Sequence, residues 1–154
     1  MGTEIERKFL VAGDGWRDTA DGRRIRQGYL SVDPTRAVRV RTAGERAWLT
    51  VKGAQTGLSR PEFDYAIPLA DARQMLDTLC HQPLIDKTRY KIRHGAHLWE
   101  VDEFHGANDG LVIAEVELDS ETESFARPPW LGAEVSDDPR YFNINLFRHP
   151  YRDW

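Results

Sequence analysis

Glu4-Ile5-Glu6-Arg7-Lys8 stands near the N-terminus, and its reading decides the rest of the chain. On a β-strand successive side chains point to opposite faces, so this stretch sets Glu4, Glu6 and Lys8 side by side on one face. The other face, Ile5, Phe9 and Val11, is apolar apart from Arg7. Adjacent carboxylates repel, and both stay ionised only beside a divalent cation or basic neighbours. Two readings follow: a solvated outer strand of mixed charge, or one wall of a site built for metal and phosphate.

The same alternation recurs downstream, each time with one charged parity and one apolar parity. Arg39 and Arg41 share a face opposite Val38 and Val40; Thr50 and Lys52 oppose Leu49 and Val51, with Trp48 on the polar side. Arg60, Glu62 and Asp64 oppose Phe63 and Tyr65. Lys87, Arg89, Lys91 and Arg93 all share one parity against Thr88, Tyr90 and Ile92. Four like charges along one face repel unless anions answer them. Glu100 and Asp102 oppose Trp99 and Val101, and Glu115 and Glu117 oppose Ala114, Val116 and Leu118. Any one of these strands could be an ordinary solvent-facing surface; all of them together are harder to read that way, and closure with the charged faces inward is the alternative. A small barrel is normally filled by apolar side chains and polar outside. The inverse would be a tunnel with Lys8, Arg39, Arg41, Lys52, Arg60, Lys87 and Arg89 facing Glu4, Glu6, Glu62, Glu100, Asp102, Glu115 and Glu117. A ligand with several phosphates, bridged to the carboxylates by Mg²⁺ or Mn²⁺, would satisfy both sets.

Short alternating segments bounded by Gly, Pro, Asp or Asn predict an antiparallel, mostly β (α+β) domain. Strands are predicted near 3–11, 24–32, 36–42, 46–53, 58–67, 86–94, 97–104 and 111–119. Asp33-Pro34, Ala43-Gly44, His94-Gly95 and Asn108-Asp109-Gly110 read as the turns between them. Leu69, Ala72, Leu76 and Leu79 predict an amphipathic helix from Leu69 to His81. A second helix is expected to start near Glu121 and stop before Pro128-Pro129. A last short one is expected from Asp138-Pro139-Arg140 through about Phe147.

A chain of 154 residues, 40% hydrophobic, suits one domain spanning 1–154 and one core. Its net charge of −4 offers no cationic surface for nonspecific nucleic-acid binding. The lone Cys80 cannot form an internal disulfide, and no apolar run approaches a membrane span, so a cytoplasmic protein without a membrane partner is expected. The five histidines show no metal-ligand spacing.

Glu4-x-Glu6-x-Lys8, Arg39-x-Arg41, Thr50-x-Lys52, Arg60-x-Glu62, Lys87-Thr88-Arg89-Tyr90 and Glu115-x-Glu117 occur in that order. Together with Gln27-Gly28-Tyr29-Leu30 and Asp138-Pro139-Arg140-Tyr141, they resemble the CYTH superfamily, the triphosphate tunnel metalloenzymes, over nearly the whole chain. The resemblance implies a closed eight-stranded antiparallel β-barrel forming a charged tunnel, flanked by a few helices, that binds a triphosphate lengthwise with Mg²⁺ or Mn²⁺. It implies Glu4, Glu6, Glu115 and Glu117 as metal ligands, with Asp102 as a further ligand or an orienter of the attacking water. Lys8, Arg39, Arg41, Lys52, Arg60, Lys87 and Arg89 become the phosphate clamp, and Tyr29, Lys87 and Asp102 the catalytic residues, Tyr29 as a candidate for proton transfer. Inorganic tripolyphosphate, cleaved to pyrophosphate and phosphate, is the leading substrate. A class IV-type adenylyl cyclase, a nucleoside or thiamine triphosphatase, and a non-catalytic polyphosphate- or nucleotide-binding module are the alternatives. Nothing in the sequence decides between a monomer and a homodimer.

Overall fold

The computed structural model describes residues 2–18 and 21–154. Nine strands are present: β1 (Gly2–Val11), β2 (Gly22–Ser31), β3 (Arg36–Ala43), β4 (Arg46–Gly53), β5 (Ser59–Ala66), β6 (Ile85–His94), β7 (His97–Phe104), β8 (Val112–Glu117) and β9 (Leu131–Glu134). Helix α1 (Leu69–Thr78) joins β5 to β6, and a one-turn helix, α2 (Asn143–Leu146), follows β9. The first eight strands pair antiparallel in the order β5-β4-β3-β2-β6-β7-β8-β1, and β1 returns to β5 to close the barrel. That seam runs over four residue pairs, from Gly2 opposite Glu62 to Ile5 opposite Ser59. Beyond it, Phe9 and Val11 pair with β9. The turns use glycine in the left-handed region, with Gly44 at φ 59° and Gly95 at φ 62°, which a side chain would strain.

The hydrophobic core lies outside the barrel. Phe9, Trp99, Val101 and Val116 face outward and are covered by Trp16, Phe125 and Trp130 from loops. Ala72 and Leu76 of α1 cover Val40 and Ala47 on the other side. At one end, the lumen-facing rows give way to Leu10, Ile85, Phe104 and Ile113, and Tyr141, Leu146 and Phe147 of the C-terminal segment pack onto them. That segment plugs this end of the tunnel. No helix among the described residues is long and apolar enough to cross a membrane.

The expected helix near Glu121 is absent: the segment is a turn followed by irregular chain and a second turn. Its Phe125 and Trp130 pack edge-on against Trp99, at 5.6 and 5.9 Å between centroids. Helix α1 ends at Thr78 rather than His81, leaving Leu79 66% exposed. The last predicted helix divides into a 3₁₀ turn, Pro139–Tyr141, and α2, because Phe142 between them is extended. Strand β9 was not anticipated.

Candidate active site

Alternation along the strands carries the charged parity into a cavity of about 310 Å³. Every predicted site residue except Asp102 lines it. On β1 and β8, Glu6 stands opposite Glu117 and Lys8 opposite Glu115, with Lys8 Nζ 3.2 Å from a Glu115 carboxylate oxygen. At the seam, Lys52 Nζ lies 2.9 Å from Glu4 Oε1. On β6, Arg89 reaches Glu100 at 3.1 Å. Arg60 donates to the Gly53 carbonyl at 3.0 Å.

Asp102 lies behind this wall. It is 1% exposed and receives Lys87 Nζ at 2.8 Å and Arg89 Nε and Nη2 at 2.8 and 2.9 Å. Both of its oxygens are thus taken by buried cations. Tyr29 and Gln27 face inward on β2, and Arg24 and Arg26 point outward, Arg24 to Asp86. Trp48 stands opposite Arg41 in the strand register without lining the cavity. No histidine lines it either.

After these pairings, the cavity holds a residue of unanswered charge. Among the described residues Arg39, Arg41 and Arg60 have no carboxylate within 4 Å, and Glu6 and Glu117 have no cation within that distance. Arg39 Nε is buried with no hydrogen-bond partner among the described residues. Burial, then the charges of Glu115 and Glu4, hold the Glu6 carboxyl well above its usual range. Burial raises Glu117 too, helped by Glu4 and Glu100. Burial also pushes Glu62 up to about 7, helped by its hydrogen bond to Glu4. For Glu4 burial acts upward, but that bond and Lys52 prevail and bring it to about 2. Lys87 falls to about 7 because burial outweighs Asp102. Tyr29 is raised by burial despite the cations Arg39, Arg41 and Lys8, so its phenol keeps its proton at neutral pH and can donate it in a hydrogen bond.

The donors on the acidic wall are all hard carboxylate oxygens, which suits Mg²⁺ or Mn²⁺ over softer ions. Among the described residues no three acidic or imidazole side chains converge tightly enough to cage an ion alone. Glu4 and Glu115 are turned to Lys52 and Lys8 instead. This fits an ion held by one or two carboxylates and completed by phosphate oxygens and water, the usual habit of Mg²⁺.

Several cavity residues escaped the sequence reading, Ser136, Phe142 and Asn143 among them. Ser136 and Phe142 come from irregular chain and Asn143 from the one-turn α2, segments too short for a periodicity to announce a face. Ser136 Oγ accepts the Lys8 backbone N–H at 2.9 Å and fixes β1. Asn143 Oδ1 accepts from Lys87 Nζ at 2.9 Å.

The CYTH domain model matches residues 2–151. An inorganic triphosphatase of Acetivibrio thermocellus is 49% identical over 154 residues, covering 100% of this chain and 99% of that protein. One from Nitrosomonas europaea is 40% identical over 152 residues, covering 94% and 96%. Among solved structures, the inorganic triphosphatase NE1496 superposes with a TM-score of 0.65 at 35% identity, over 93% of this chain and 96% of that one. With a family match over nearly its whole length and relatives at this identity, the chain belongs to the CYTH domain family.

Proposed function

We propose that this protein is a metal-dependent hydrolase of inorganic tripolyphosphate, releasing pyrophosphate and phosphate. The observation that carries the reading is the two sets of unanswered charge lining one cavity: the guanidinium groups of Arg39, Arg41 and Arg60, and the carboxylates of Glu6 and Glu117. A polyanion alone would meet the carboxylates and a cation alone the arginines; a metal–triphosphate complex answers both. The relatives named inorganic triphosphatase support the substrate.

Phosphoryl transfer asks mainly for positioning and for neutralisation of charge on oxygen. Arg39, Arg41 and Arg60, with Lys8, Lys52 and Arg89, bind and orient the phosphate chain through charge-assisted hydrogen bonds. Glu6 and Glu117, with Glu4 and Glu115, would hold Mg²⁺ or Mn²⁺, which supplies electrostatic stabilisation of the phosphate oxygens. Lys87, poised near neutrality, can give a proton from Nζ to a departing phosphate oxygen. Tyr29 Oη donates a hydrogen bond to the substrate. Asp102, with both oxygens engaged, acts as a positioning residue for Lys87 and Arg89 rather than as a metal ligand.

The test is product analysis with purified protein offered tripolyphosphate, ATP and thiamine triphosphate separately, each with Mg²⁺, Mn²⁺ or a chelator. Metal-dependent release of phosphate and pyrophosphate from tripolyphosphate, with little turnover of the others, is the expected result. Cyclic AMP from ATP would transfer the assignment to a cyclase, preference for an organic triphosphate to a nucleoside or thiamine triphosphatase, and tight binding without product to a binding module.

A further inference from the structure

Two cations of the cavity, the half-buried Arg41 and the buried Lys87, are joined through a pair of amides that none of the assigned roles uses. Arg41 Nε donates to Gln27 Oε1 at 2.9 Å. Gln27 Nε2 donates to Asn143 Oδ1 at 3.1 Å, and Lys87 Nζ donates to the same oxygen at 2.9 Å. Gln27 is 0% exposed and sits opposite Arg41 on the strand pair β2–β3. The polarity of this chain is forced. A guanidinium can only donate, so Gln27 must present its oxygen to Arg41 and its NH₂ to Asn143. Asn143 must then present Oδ1, which is the acceptor Lys87 needs.

The amides also answer a question of charge. A carboxylate accepting from Arg41 would cancel the charge the substrate is meant to find. A neutral acceptor at Nε fixes the plane of the guanidinium and leaves Nη1 and Nη2 without a protein partner among the described residues. Asn143 belongs to the C-terminal segment that plugs the barrel, so the relay ties that plug to both cations.

We propose that Gln27 and Asn143 are positioning residues that aim Arg41 and Lys87 at a triphosphate while preserving the positive charge of Arg41. This rests on the function proposed above. The test is calorimetric binding of inorganic tripolyphosphate in the presence of a chelator, alongside steady-state hydrolysis with Mg²⁺ and thermal melts. Gln27→Met is expected to weaken binding about tenfold. Gln27→Glu is expected to weaken it about a hundredfold while melting no lower than Gln27→Met, because the new carboxylate pairs with Arg41 and cancels its charge. A merely structural role predicts the reverse order, since the ion pair would restore the lost contact. Neither change is expected to add to the loss already caused by Arg41→Ala. Asn143 is partly exposed to the cavity, so Asn143→Ala tolerates folding; it is expected to lower kcat about tenfold, with no further loss on Lys87→Ala. Gln27→Glu binding as tightly as Gln27→Met, or effects that add fully to Arg41→Ala and Lys87→Ala, would overturn the inference while leaving the function intact. A wild-type protein that neither binds nor cleaves tripolyphosphate would remove both.

Discussion

Asp102→Asn is the most informative single change, because it removes one buried negative charge and keeps the side chain's shape. In the native protein that charge answers Lys87 at 2.8 Å and Arg89 at 2.8 and 2.9 Å, with Asp102 and Lys87 each 1% exposed. Removing one partner of a buried ion pair costs about 3–5 kcal/mol, since the remaining charge stays desolvated. The lower end applies here. Arg89 keeps Glu100 at 3.1 Å, and Lys87, already near 7, can release its proton. At about 2–4 °C per kcal/mol for a domain of this size, a loss of about 3 kcal/mol lowers Tm by about 6–12 °C. Thermal melts in chelator, with and without inorganic tripolyphosphate, read this directly. Tripolyphosphate should raise Tm more in the variant than in the wild type, because its oxygens restore negative charge beside the two cations. A variant that melts within 2 °C of the wild type but has lost metal affinity would refute the reasoning and make Asp102 a metal ligand after all.

Further outcomes follow from the same geometry. Glu117→Gln is expected to abolish metal-dependent turnover, measured as phosphate release across a Mg²⁺ titration, with folding unchanged by circular dichroism. Arg39→Ala removes charge-assisted hydrogen bonds of about 1.5–3 kcal/mol and should raise KM for tripolyphosphate about 10- to 100-fold with a smaller effect on kcat. Trp99, 0% exposed against three aromatic rings, should lose about 3–5 kcal/mol as Trp99→Ala, yet the variant should turn over normally at temperatures where it is folded; lost turnover there would mean that the outer layer is not separate from the site. Lys87 is lowered from 10.5 to about 7 on folding, so between those values the unfolded chain binds the extra proton. Stability should therefore rise as pH climbs from about 7 to 10 and level off below about 7, where both states carry the proton, and a urea titration series should lose this slope in Lys87→Met.

The barrel was legible because it is written in a period of two, which survives any tertiary context that keeps one face dry. Glu4, Glu6 and Lys8, the Arg39–Arg41 pair and the Lys87–Arg93 row all fall on the face their parity requires. Parity names a face but not a depth, and that is why Asp102 looked like a cavity ligand: it faces inward but lies behind Lys87 and Arg89, consumed by them. Segments without a period were illegible for a different reason. Irregular chain around Phe125 and Trp130 is chosen by the need to cover Trp99, a demand set by strands far away in sequence, and local propensity toward helix near Glu121 loses to it. Asn143 reaches the cavity only because Phe142 breaks the last helix.

Strand β1 has a cost that appears only while the protein is being made. Its partners on β8 lie about 110 residues further along the chain, and at roughly 5–20 residues per second a ribosome needs about 5–20 s to deliver them. Throughout that interval the β8 edge of β1 is bare, the kind of template on which neighbouring nascent chains pair and aggregate. Its charges guard it: Glu4, Glu6 and Lys8 on one face and Arg7 interrupting the other make a poor partner for a second copy. The residues proposed above to receive metal and phosphate in the finished barrel are the same ones that keep its unfinished first wall soluble.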